Sequence, residues 1–198
     1  MTIHASARVA TLLGLASLAA CAQAMQPMGA TPMAMPASIE VGGAPMLPGR
    51  DIVDNAVNSR DHTTLVAAVQ AAGLVPTLKG AGPFTVFAPT NAAFSALPPQ
   101  TVPTLLRPEN KAQLTGVLTY HVVAGRLDFA ALAERIRAGG GTASLTTVNG
   151  GVLTAMMNGP HNIVLRDAAG NSARITTYDV IQSNGVIHVV DRVLMPRG

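Results

Sequence analysis

Residues 82–97 read GPFTVFAPTNAAFSAL, and the reading of this stretch decides the fold. A Gly-Pro start leads into apolar alternation, Pro89-Thr90-Asn91 breaks it, and small and aromatic residues then recur at helical spacing. The pattern predicts a strand over Phe84–Ala88, a turn, and a helix from about Asn91 to Leu97, where Pro98-Pro99 intervenes. Pro89 has no N–H for a ladder and ends the strand. Thr90 or Asn91 supplies the helix N-cap, and Phe94 turns back onto the sheet. Strand period sets Phe84, Val86 and Ala88 on one face and Thr85 and Phe87 on the other.

Strand-to-helix joints are also where enzymes expose nucleophiles and cradle phosphates. The local residues argue against both uses. Ser95 lies inside the helix and lacks the glycines that flank a nucleophile elbow. Gly80-Ala81-Gly82-Pro83 precedes the strand instead of linking strand to helix, and no Lys-Ser/Thr follows it. Between Asp61 and Glu109 there is no carboxylate, so paired-carboxylate chemistry has little material here. The joint is expected to build the fold, and no enzymatic activity is expected.

Upstream, Ile52, Val53, Ala56 and Val57 share one helical stripe, and Leu65, Val66, Val69 and Ala72 share another that Gly73 stops. Downstream, a helix over Glu109–Thr119 is expected to run into a β-prone Tyr120-His121-Val122-Val123. Asp128 caps a helix over Phe129–Arg137 that ends at Gly139-Gly140-Gly141. Short β-prone runs then alternate with Asn-Gly-type turns through VIHVVDRVLM, which predicts an antiparallel meander. Helices early and strands late make the class α+β, a sheet sandwich rather than a doubly wound parallel sheet.

Three stretches carry a family resemblance. Phe84 to Phe94, with Thr85, Phe87, Pro89, Thr90, Asn91 and Phe94 as its marks, resembles the first homology motif of the fasciclin domain family. Tyr120-His121 is similar to that family's central Tyr-His motif. Asn184 to Pro196, with Gly185, His188, Asp191 and Pro196, is similar to its second homology motif. The resemblance spans about residues 49–197 and implies a wedge-shaped β-sandwich flanked by short helices, with adhesion or matrix association as the usual role. In animal relatives the Tyr-His region is associated with integrin recognition, which makes Tyr120 and His121 possible partner contacts after a first role in packing. Independently, both homology motifs read as central strands that lie side by side, since Val186 to Val190 is apolar on both faces apart from His188.

The N-terminal segment lies outside that resemblance. Arg8 precedes twelve apolar or small residues, VATLLGLASLAA, too few for a bilayer-spanning helix of about 20. Residues 1–20 therefore read as an export signal of the lipoprotein type. Leu18-Ala19-Ala20-Cys21 resembles a bacterial lipobox, which assigns Cys21 as the acylated residue; cleavage after Ala22-Gln23-Ala24 is the alternative. Residues 21–48, rich in Met, Pro and Gly, read as a flexible tether, and residues 49–198 as the domain. The expected location is the outer membrane, the periplasm or the exterior.

Composition narrows the partners. Thirteen basic residues face ten acidic ones without clustering, and with no Trp, 2 Tyr and 4 Phe there is neither a basic stripe nor a stacking platform for nucleic acid. The expected partner is a protein or polysaccharide at the surface, with the membrane engaged through the lipid. No cofactor is expected. His121 and His188 are expected to be hydrogen-bonded within or beside the sheet. One alternative role remains for the tether, where Met25, Met28, Met33 and Met35, with Met46 beyond, offer soft thioethers suited to Cu(I) in a copper or stress response.

Overall fold

Packing begins ten residues earlier than composition suggests. In the computed structural model, which describes residues 38–196, Ile39–Val41 (β1) and Ala44–Met46 (β2) pair antiparallel across Gly42-Gly43. Val41, Ala44 and Met46 are buried in the main core. The turn is fastened where the Arg60 N–H donates to the Gly42 carbonyl at 3.2 Å. Buried Asn55 secures the exit: its Nδ2 donates to the Leu47 carbonyl at 2.8 Å and to Gln182, and its Oδ1 accepts from the Leu47 N–H. The tether boundary expected at residue 48 is thus corrected, because alternation about a Gly-Gly turn gives three side chains a core to enter. Met46 is correspondingly unavailable as a metal ligand.

Four helices follow in or around the first motif. Ile52–Ala56 (α1) is capped by Asp51, whose Oδ1 accepts from the Asp54 N–H at 2.8 Å. Thr63–Ala72 (α2) ends at Gly73 as expected, and Val75–Leu78 (α3) is a short turn of helix that periodicity did not reveal. The strand Phe84–Pro89 (β3) then leads to Asn91–Ser95 (α4). Thr90 is the cap, accepting from the Ala93 N–H at 3.2 Å. Asn91 instead clamps a neighbour. Its Oδ1 accepts from the Thr64 N–H at 3.0 Å in the first turn of α2, and its Nδ2 donates to the Arg60 carbonyl at 2.8 Å. Asn91→Ala removes both ties and is expected to cost about 1–2 kcal/mol, read as a lowered urea midpoint; an unchanged midpoint would show the clamp to be idle.

Thr101–Leu105 (α5) forms directly after Pro98-Pro99, and Lys111–Tyr120 (α6) continues one residue past the expected end. Tyr120 and His121 are therefore the last turn and C-cap of a helix, a correction to the strand expected there; the strand is Val122–Ala124 (β4). The stripe Leu114, Val117, Leu118 holds the helical phase up to Tyr120, so packing overrides local β propensity. Phe129–Ala138 (α7) has Asp128 as its N-cap, accepting from the Ala131 N–H at 2.8 Å. The meander comprises Thr142–Thr146 (β5), Val152–Met157 (β6), Ile163–Arg166 (β7), Ser172–Gln182 (β8) and Gly185–Val190 (β9).

Hydrogen bonding joins seven strands in the order β4-β3-β9-β8-β7-β6-β5. β3 lies between β4, antiparallel, and β9, parallel, with Phe84 opposite Gly185 and Pro89 opposite Val190. The two homology motifs are adjacent central strands, as the sequence predicted. β8 pairs with β7 through its first residues and with β9 through its last, its register slipping between Ile175 and Val180. The sheet folds over at this irregularity, and its far edges meet where Val123 bridges Thr147. Inside the fold lie Phe87, Leu132, Leu153, Leu165 and Leu194; on the other face Val86, Ala88, Ile187 and Val189 meet the helices. The α+β sandwich and the two-sided partition of β3 are both as expected.

Candidate functional site

Most residues marked by the motifs are buried, Thr90, Asn91, Asp191 and Pro196 are half-buried, and their polar side-chain atoms are taken up by the fold. Thr85 Oγ1 donates to the Gly125 carbonyl at 2.7 Å and accepts from the Leu127 N–H at 2.9 Å, pinning the loop that follows β4. Ser95 Oγ donates to the Asn91 carbonyl one turn earlier. Asp191 Oδ1 accepts from the Arg174 N–H at 2.7 Å, joining the end of β9 to β8. Asn184 joins three segments: its Oδ1 accepts from the Ile52 N–H, and its Nδ2 donates to the Leu78 and Gly80 carbonyls.

Both motif histidines are clamps between backbone groups. His121 Nδ1–H donates to the Val117 carbonyl at 2.8 Å, which leaves Nε2 as acceptor for the Leu194 N–H at 2.9 Å. Burial pushes its pKa down to about 4. His188, fully buried, donates from Nε2 to the Leu127 carbonyl at 2.7 Å and accepts at Nδ1 from the Asp179 N–H at 3.3 Å. Its ring stacks on Phe87 with centroids 5.8 Å apart, and burial lowers its pKa also. Each ring thus has one tautomer and no nitrogen left for proton transfer or metal binding.

Tyr120 is equally internal. Its hydroxyl donates to the Val152 carbonyl at 2.8 Å and accepts from the Ala168 N–H at 3.0 Å, tying α6 to the meander. With Tyr120 at 0% and His121 at 3% exposure, the possible partner contact at these two residues is corrected to packing. No signal in the residues themselves distinguishes a buried Tyr-His from an exposed one; the helical phase of α6 does. Asp179, which the sequence did not single out, holds a positive φ of 55° in the β8 irregularity. Its Oδ1 accepts from the Phe129 N–H at 2.7 Å, so it and Asp128 both serve the N-terminus of α7.

The other two histidines among the described residues do not join them. His62 is buried beside Ser59, Nδ1 to Oγ 2.9 Å, while its Nε2 has no partner among the described residues; burial lowers its pKa. His161 is exposed in the turn before β7. Among the described residues no three His, Cys, Asp or Glu side chains converge as a metal site. Cys21, Met25, Met28, Met33 and Met35 lie outside the described residues. An apolar cavity of about 60 Å³ sits between α1, α2, α3 and α6 and the helix-facing side of β3, lined chiefly by aliphatic side chains such as Leu65, Val69, Leu78, Val86 and Leu118.

The surface has an electrostatic asymmetry that the near-balanced composition hides. Asp51, Asp128, Asp167, Asp179 and Asp191 each accept from backbone N–H groups. Among the described residues, the one arginine within 4 Å of a carboxylate is Arg107, 3.8 Å from Glu109. Half of the ten carboxylates are thus engaged by caps and turns, while most of the described guanidiniums face solvent without an acidic partner. No helix among the described residues is long and apolar enough to cross a membrane.

Comparison with known proteins agrees with this architecture. Protein sll1483 of Synechocystis sp. is 45% identical over 145 residues, which cover 73% of this chain and 73% of that protein. The cell surface glycolipoprotein MPB83 of Mycobacterium bovis is 37% identical over 123 residues, 62% of this chain and 48% of that protein. In structure, the chain is similar to a FAS1 domain pair from the insect cell adhesion molecule fasciclin I, with a TM-score of 0.67 and 15% identity over 75% of this chain and 52% of that one. The fasciclin domain family model matches residues 60–196, and with both homology motifs paired at the centre of the sheet, the chain belongs to the fasciclin domain family.

Proposed function

We propose that this chain is a non-enzymatic binding or adhesion module of the cell surface or periplasm, held to the membrane by a lipid on Cys21. The observation that carries the reading is the internal use of the motif residues. Thr85, Asn91, Tyr120, His121, Asn184 and His188 all direct their polar atoms to backbone partners, so the two motifs act as scaffold and recognition belongs to the surface. The fasciclin relatives include a cell surface glycolipoprotein and a cell adhesion molecule by name, which supports both the location and the role. The partner is a surface protein or polysaccharide, and weak contacts gain strength from many copies on one membrane.

The anchor is tested by Cys21→Ser with fractionation and intact mass. The native chain is expected in the membrane fraction with an acylated Cys21 as its first residue, and the variant in the soluble fraction. A free, unacylated N-terminus at Met25 would overturn it. The binding role is tested by comparing cells with and without the chain on matrix and polysaccharide surfaces; equal adhesion would count against it. The copper reading now rests on four thioethers, Met25, Met28, Met33 and Met35, since Met46 is buried. Deleting residues 25–37 separates the two roles while sparing the β1–β2 hairpin: adhesion tolerates a substitute linker, and copper handling does not.

A further inference from the structure

The side of the domain away from the helical core carries a groove of about 490 Å³ between α7 and the β6–β7 turn. Phe129, Ala133 and Ile136 of α7 and Met157 of β6 form an apolar floor, and Pro160 and His161 of the turn stand along one side. Its volume falls in the range of about 300–1,000 Å³ that holds small ligands. The walls are set by rigid contacts. Phe129 meets Tyr178 edge to face with centroids 5.1 Å apart, and the Tyr178 hydroxyl accepts from the Ile163 N–H at 2.7 Å. Asp128 and Asp179 fix the start of α7, and the Asn158 N–H donates to the Asn162 carbonyl at 2.7 Å across the turn. Gly141, at φ +105°, lines the groove where a Cβ would meet nothing within 4 Å, so this end stays open.

Charge complements that shape. Arg137 lines the groove, and no carboxylate does. Among the described residues no acidic oxygen lies within 4 Å of its guanidinium, including that of Glu134 one turn back on α7. His161 adds a second nitrogen donor to the lining. An apolar floor favours a hydrocarbon or aromatic body, and an unpaired guanidinium favours a bidentate anion. We propose that this groove binds a small amphipathic carboxylate, its apolar body on Phe129, Ala133 and Met157 and its anionic end at Arg137. The site is independent of the anchor and of the adhesion partner, and neither outcome above decides it.

The test is calorimetric or NMR titration of the full chain with 4-phenylbutyrate and with its neutral counterpart, 4-phenylbutanol. The carboxylate is expected to bind more tightly than the alcohol, to shift resonances of Ala133 and Met157, and to lose about tenfold in affinity in Arg137→Gln. Arg135→Gln makes the same charge change on the same helix outside the groove lining and is expected to leave affinity unchanged. Ala133→Phe fills the floor and is expected to abolish binding of both probes; if that variant is unfolded by circular dichroism, the two arginine variants decide alone. Equal binding of acid and alcohol, equal losses in both arginine variants, or saturation only at tens of millimolar, as an adventitious additive would show, would each overturn the proposal.

Discussion

Gly185→Ala is expected to lower the stability of the domain by about 3 kcal/mol or more, a fall in Tm of at least about 6 °C for a chain of this size. A Cβ at this position would sit 2.1 Å from the Phe84 carbonyl oxygen and 3.1 Å from Ile52 Cδ1. The backbone on one side is strand β3 itself, so relief requires β3 and β9 to part at the register pair Phe84–Gly185. Parting them strains the bond from the Phe84 N–H to the Asn184 carbonyl and the three side-chain ties of Asn184 to Ile52, Leu78 and Gly80. Gly49→Ala is the control, since a Cβ there meets nothing within 4 Å. Matching midpoints for the two variants in thermal or urea unfolding would refute the close-approach argument.

The second large effect is acid lability. His62, His121 and His188 are buried neutral, each with its pKa lowered chiefly by loss of solvation. Above about pH 6.5 both folded and unfolded chains hold these rings uncharged, and pH does not act through them. Below that value the unfolded chain takes up protons that the folded chain refuses, so stability falls as pH drops from 6.5 through about 4. His121, depressed to about 4, accounts alone for about 3 kcal/mol by the lower end of that window, and the other two act in the same direction. The steepest loss is about 1.4 kcal/mol per pH unit for each ring. Urea midpoints at pH 7.5, 6, 5 and 4.5 are expected to descend once pH passes 6.5. A level profile down to pH 5 would mean that the rings charge without cost and are not buried as described.

The parts of the fold legible in the sequence are those whose signals are local. Pro89 and Thr90 announce the end of β3 and the cap of α4, Asp128 announces α7, and Asn-Gly-type turns mark the meander. The pairing of β3 with β9 was legible because a strand apolar on both faces has to be central. What escaped is tertiary in origin. The β1–β2 hairpin is three residues per strand inside a Met- and Pro-rich composition, and only the core that receives Val41 and Met46 makes it a structure. Tyr120-His121 looked β-prone because the residues are, while the phase of α6 kept them helical. Asn91 was read as an alternative to Thr90 for the cap of α4, whereas it clamps α2, whose first residue lies 28 positions earlier in the chain. The groove beside α7 was illegible for the same reason, since Phe129 and His161 are brought together by the meander rather than by spacing.

The parallel pairing of β3 with β9 also bears on when the chain can fold. The partners Phe84 and Gly185 stand about a hundred residues apart. Contacts of such long sequence separation require the loop entropy to be met before they reward it, which delays folding. Strand β3 therefore has only the three-residue β4 as a ladder partner until residues 185–190 have emerged. The meander strands β5 to β8 can pair with one another before that point, but the sheet reaches its final order only when β9 inserts between β3 and β8.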